Sequence, residues 1–161
     1  MKNSRKILHT MLFATLLGFA TGAWAESWSL KDTEGIRYTP SSLQGKWVLV
    51  NFWAPWCPMC IHEIPELASL QQAHSDIQVI GVAVMYKNRN EVMQTAKAQN
   101  VSYPVVIGNE DTAGDFGGIV GLPTSFLYSP SGKLIGRHAG PLSRAEIEQA
   151  MDGKAQALFT R

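Results

Sequence analysis

Asn51-Phe52-Trp53-Ala54-Pro55-Trp56-Cys57-Pro58-Met59-Cys60 is an apolar run that ends on two cysteines, the only two in the 161-residue chain. Just upstream, Trp47-Val48-Leu49-Val50-Asn51-Phe52 is a continuous apolar stretch of strand length, as expected of a strand buried on both faces of a covered sheet. Downstream, Ile61, Ile64, Leu67, Ala68 and Leu70 recur three or four residues apart, the period of an amphipathic helix over about 58–73. Two thiols two residues apart at a strand-to-helix junction form the C-x-x-C arrangement of a dithiol/disulfide redox pair. A bridge closing so short a loop removes little unfolded-state entropy, which argues against a purely structural disulfide.

Pro58 suits the first turn of that helix, and Pro65 inside it predicts a kink. Further along, Ile77 to Val84 reads as a second buried strand, Asn90 to Gln99 as a second helix and Pro104 to Ile107 as a short strand. Residues 109–118 form a glycine- and acid-rich loop with one helical turn. Pro123 to Tyr128 and Lys133 to Ala139 flank Ser129-Pro130-Ser131-Gly132 and predict an antiparallel hairpin. Ser143-Arg144-Ala145-Glu146 is a capping box for a last helix through about Met151, and residues 152–161 carry no clear assignment. Before the central run, Trp28 to Lys31 and Ile36 to Tyr38 flank the turn-rich Asp32-Thr33-Glu34-Gly35, the pattern of a small edge hairpin. The order implies an α/β fold: a central mixed sheet with helices on both faces, its parallel part joined by right-handed crossovers, and an N-terminal edge hairpin.

Lys2, Arg5 and Lys6 precede an apolar stretch from about Met11 to Ala20 and the tripeptide Ala23-Trp24-Ala25. That is a tripartite secretory signal, predicting cleavage after Ala25 and one domain over 26–161. Its apolar core falls short of the ~20 residues a bilayer span needs, so a cleaved signal is favoured over an anchor. Removing it takes away three positive charges and leaves a formal net charge of −2, which supplies no basic field for nucleic acid or anionic lipid. With 45% hydrophobic and 17% charged residues, the chain is globular and neither disordered nor fibrous.

The segment from Asn51 to Cys60 resembles the active-site stretch of thioredoxin-fold proteins. Gly45-Lys46 before the strand, Asn51 within it, Glu63 three residues after Cys60, and Pro65 narrow the resemblance to exported thiol-disulfide oxidoreductases of the TlpA/ResA type. Gly121-Leu122-Pro123-Thr124 resembles the cis-proline loop that lies against the C-x-x-C in that family. The resemblance implies a thioredoxin-like fold and a periplasmic address. It also implies reduction of disulfides in exported proteins such as apocytochrome c, with a membrane-embedded donor restoring the dithiol. No metal or cofactor is implied beyond the Cys57-Cys60 disulfide, and the protein is expected to be a monomer. Where cytosolic thioredoxins carry a buried acid this chain has Asn51, so the resemblance implies that Glu63 takes the acid's part.

Cys57 stands at the predicted helix start, where unpaired amide N–H groups and the positive end of the helix dipole favour a thiolate, the species that attacks disulfides. It is the expected nucleophile and Cys60, one turn on, the resolving thiol. Glu63 at i+3 from Cys60 is within reach to accept its proton, the plain alternative being a solvated helix-face acid like Glu66. Pro58 and Met59 between the thiols supply no charge, Trp56 walls the site, and Leu122 before a cis Pro123 would offer its backbone to a substrate strand. Competing chemistries fit less well. A c-type haem site needs C-x-x-C-H, but Ile61 precedes His62; zinc needs about four ligands, and His62, His74 and His138 are scattered. No T-x-x-C peroxidatic pattern precedes the cysteines. Copper handling through Cys57, Cys60 and Met59, with His138 as a conjectural further ligand, and a dithiol oxidase of the same fold are the alternatives.

Overall fold

A computed structural model describes residues 28–160; the signal segment 1–25 and its cleavage point lie outside these residues. The chain opens with the short strands β1 (Leu30–Lys31) and β2 (Arg37–Tyr38). The turn between them is built by Asp32, whose Oδ1 accepts from the amides of Glu34 (3.0 Å) and Ile36 (2.8 Å). A 3-10 turn at Ser41–Leu43 leads into β3 (Trp47–Trp53). After it come α1 (Pro58–Ala73), β4 (Ile77–Ala83), α2 (Arg89–Ala98) and β5 (Val105–Ile107). A single-turn α3 (Glu110–Gly114), β6 (Thr124–Tyr128), β7 (Leu134–Ala139) and α4 (Arg144–Met151) complete the regular elements. The helical span of α1 continues across Pro65.

The main sheet has the order β5-β4-β3-β6-β7. Its β3-β4 and β4-β5 pairs are parallel, and β3-β6 and β6-β7 antiparallel, so β3 is central. Alternation along β3 divides the core. Val48, Val50 and Phe52 join Trp28, Leu30, Ala113 and Phe116 on the face covered by the hairpin and α3. On the opposite face Leu49 and Trp53 meet Ile64 and Leu67 of α1, Val92 of α2 and Ile147 of α4. The mixed sheet with helices on both faces therefore holds, with three of the four helices on one side. Phe52, Phe116 and Phe126 pack with ring centroids 5.2–5.8 Å apart, a range in which tilted aromatic pairs attract beyond their area burial.

Both ends of the described chain close on the sheet. The β1-β2 hairpin forms its own two-stranded sheet and meets the β5 edge through an Asp32-Val106 bridge and a 2.9 Å bond from the Thr33 amide to the Val105 carbonyl. After α4 a 3-10 turn at Gln156–Leu158 brings Thr160 beside Arg137 of β7, with bonds of 2.8 Å in both directions, and Phe159 is buried. Gly136 permits that approach: a Cβ there would stand 2.8 Å from the backbone of Phe159.

One register row positions the site. Asn51 of β3 lies between Gly81 of β4 and Ser125 of β6, and Ser125 pairs in turn with His138 of β7. The missing side chain at Gly81 lets the rings of Tyr103 and Trp53 lie against the sheet, since a Cβ would come within 2.9 Å of Tyr103.

Candidate active site

Cys57 is the N-cap of α1, in extended conformation, and its Sγ accepts from the Cys60 amide at 3.2 Å. Pro58 follows at a position whose missing N–H has no helical partner to lose. The two cysteines are joined as a disulfide, Cα to Cα 5.3 Å. Cys57 is 5% exposed and Cys60 1%, so the outer thiol of the pair is the one at the helix start. Around them the surface is apolar and open: Trp56 is 58% exposed and Met59 49%.

Trp56 is also tethered. Its indole Nε1 donates to the Met85 carbonyl at 2.6 Å, just past the end of β4. Met85 has a φ of +53°, a left-handed conformation uncommon for a side-chain-bearing residue. On the other side, the Leu122-Pro123 peptide is cis, Pro123 is buried, and Leu122 packs against the apolar cluster that contains both cysteines. The loop is pinned by bonds from the Gly140 amide to the Pro123 carbonyl (2.9 Å) and from Thr124 Oγ1 to the Gly121 carbonyl (2.8 Å). The site therefore brings together Trp56, Cys57, Pro58, Met59, Cys60, Leu122 and Pro123.

Glu63, the next turn of α1, faces inward and is 1% exposed. Its Oε2 accepts from Asn51 Nδ2 at 2.8 Å and its Oε1 from the Leu142 amide at 2.9 Å. Burial disfavours the carboxylate and pushes its pKa up to about 7, while these two hydrogen bonds pull the other way. Glu66 behaves differently, its Oε2 accepting from the Arg144 amide at the surface. Tyr103, buried nearby, has its phenol pKa raised by burial and then by the Glu63 charge.

Three participants escape the motif: Met85, which holds Trp56; Ser125, whose Oγ accepts the second Asn51 Nδ2 hydrogen bond at 3.0 Å; and the Leu142 amide. Only Ser125 left a trace in the sequence, as a polar residue ahead of Phe126-Leu127-Tyr128 in a strand buried throughout. His138, conjectured as a copper ligand, meets the Leu158 carbonyl through Nδ1 at 2.9 Å. Among the described residues no group of three or more His, Cys, Asp or Glu is placed to hold a metal ion. A disulfide at a helix N-terminus, with a carboxyl that titrates near neutrality one turn behind it, is equipped for thiol-disulfide exchange.

Comparison with known proteins agrees. Residues 21–137 match the AhpC/TSA family. The thiol-disulfide oxidoreductase ResA of Bacillus subtilis is 32% identical over 149 residues, covering 90% of this chain and 82% of that protein. A thioredoxin-like protein, YneN, of the same organism is 29% identical over 140 residues, 84% and 81% of the two chains. The crystal structure of a thiol:disulfide interchange protein of the thioredoxin family from Chlorobium tepidum superposes with a TM-score of 0.71 at 33% identity, covering 81% of this chain and 94% of that one. Strand order, the Cys57-Cys60 pair and these relatives converge: the chain belongs to the AhpC/TSA family and is a thioredoxin-like thiol-disulfide oxidoreductase of the TlpA/ResA type.

Proposed function

We propose that this oxidoreductase works in the periplasm as a reductase of disulfides in exported proteins, with apocytochrome c as the client class. A membrane-embedded donor returns Cys57 and Cys60 to the dithiol. The observation that carries the reading is the buried Glu63 carboxyl, one turn beyond Cys60 and poised to change protonation near neutrality. Export is supported by the signal pattern in residues 1–25.

The Cys57 thiolate attacks one sulfur of the client disulfide, and the other client sulfur leaves as a thiolate that takes a proton from water. Glu63 then accepts the Cys60 proton. The resulting Cys60 thiolate attacks the Cys57 sulfur, forming the Cys57-Cys60 disulfide and expelling the second client sulfur as a thiolate. Two electrons pass from the protein dithiol to the client. Once the disulfide is opened, the helix N-terminus favours the charged form of Cys57. Trp56 and Met59 give the client an apolar landing, and the Leu122 backbone beside Pro123 pairs with an extended client segment; no cofactor other than the disulfide takes part.

The reduction potential of the Cys57-Cys60 pair tests the direction. About −270 mV or lower supports the reductase; about −120 mV would make the protein an oxidant instead.

A further inference from the structure

We propose that Asn51 and Ser125 are positioning residues for Glu63, an amide-hydroxyl pair that orients its carboxyl and favours its charged, proton-accepting form against the cost of burial. The inference rests on the base role proposed for Glu63.

A carboxylate removed from water needs hydrogen-bond donors in compensation. Glu63 has two: the Leu142 amide on Oε1 at 2.9 Å, and Asn51 Nδ2 on Oε2 at 2.8 Å. The first is main chain, so Asn51 is the donor that side-chain chemistry can alter. Asn51 is a buried polar residue amid apolar ones in the central strand, and Ser125 beside it is buried too. Two hydrogens on Nδ2 are both used, one on Glu63 and one on Ser125 Oγ at 3.0 Å. The serine oxygen thereby fixes which way the amide faces. The reversed amide would turn Oδ1, an acceptor, toward the carboxylate. An aspartate at position 51 would set a second negative charge there, and an aliphatic residue would leave Glu63 one donor short.

The surroundings of Glu63 leave this work to the amide. Tyr103, ahead of β5, is its titratable neighbour, raised by burial and by the Glu63 charge. Cys60 shares its helix, and α2 contributes the apolar Val92 and Ala96 to the same region. Across the sheet His138 of β7 is one register step beyond Ser125, its Nδ1 on the Leu158 carbonyl. Among the described residues no lysine or arginine bonds to Glu63, so neutral donors alone offset its desolvation. Burial raises Glu63 and the Leu142 and Asn51 bonds lower it, so loss of the Asn51 bond raises it further.

The test is direct titration of the Glu63 side-chain carboxyl by carbon NMR in the intact protein, comparing wild type with Asn51→Ala and Ser125→Ala. The pH profile for resolution of a Cys57 mixed disulfide is measured alongside. Asn51→Ala should raise the Glu63 midpoint by about one pH unit, from one hydrogen bond to a charged group. Resolution at pH 7 should then slow about fivefold and recover at alkaline pH, since the ionised fraction drops by that factor. Ser125→Ala, the milder change, should move the midpoint in the same direction by less. A midpoint that stays in place in both folded variants overturns the proposal. A midpoint that rises while the rate profile stays fixed upholds the positioning and removes the base role of Glu63 instead.

Discussion

At Glu63 desolvation and hydrogen bonding act in opposite directions, and desolvation prevails, leaving the carboxyl half-ionised near neutrality. A group in that condition accepts a proton readily and returns it as readily, which suits a thiol that must be ionised once per turnover. Glu63→Gln keeps the shape and removes the titration. We expect resolution of the Cys57 mixed disulfide to slow by about a hundredfold at pH 7, the low end of general-base effects, and to lose the inflection near pH 7, rising instead with pH as the Cys60 thiol ionises unaided. Stopped-flow measurement of client release checks this, and an unchanged rate and profile would remove Glu63 from the reaction. The disulfide pair and the acid behind it were legible because they are close in sequence: Cys57, Cys60 and Glu63 lie within the first two turns of one helix, counted from its N-cap. Their supports were not. Ser125 reaches Asn51 across 74 residues and the Leu142 amide reaches Glu63 across 79, contacts that no local pattern encodes.

Among the elements, α4 has a part in the site through its approach rather than its body. Leu142, whose amide meets Glu63, immediately precedes the N-cap Ser143. A full capping box fixes that corner: the Ser143 amide and hydroxyl both donate to Glu146 Oε2, at 2.8 and 2.7 Å, and the Glu146 amide returns a bond to Ser143 Oγ. Those bonds, led by the serine hydroxyl, hold the Glu146 carboxyl below its usual range. Ser143→Ala should cost about 1 kcal/mol in chemical denaturation. It should also raise the Glu63 midpoint slightly by loosening the Leu142 donor, whereas a remote cap of equal strength would leave that midpoint alone. Elements defined by strong patterns were readable to within a residue or so: the periodicity and Pro58 gave α1 its full span, and the apolar runs gave β3 and β4. The stretch 152–160 was opaque because its order comes from distant partners, Arg137 for Thr160 and the core for Phe159.

Over the whole molecule the raised Glu63 makes stability depend on pH. Its folded pKa of about 7 exceeds the ordinary 4.5, so the folded state binds the proton more tightly than the unfolded chain. The contribution is complete below the ordinary value, declines as pH rises toward the folded value, and is flat beyond it. Its size is about 3 kcal/mol. Urea unfolding of the oxidised protein at pH 4.5 and pH 8 should show a loss of that order, and Glu63→Gln should largely abolish the difference. The C-terminal closure carries stability of its own: Phe159→Ala, which empties a buried aromatic site, should cost about 3 kcal/mol. Gly136→Ala, which forces a Cβ to 2.8 Å from the Phe159 backbone, should displace the tail, seen as faster hydrogen exchange at Thr160.

The two closures do something further. An incompletely folded chain that meets this protein carries unpaired strands in search of a template. The outer strands β5 and β7 would be that template, and each is shielded, one by Asp32 and Thr33, the other by Thr160. Guarded flanks disfavour edge-to-edge pairing of the sheet with such a chain, and so disfavour co-aggregation.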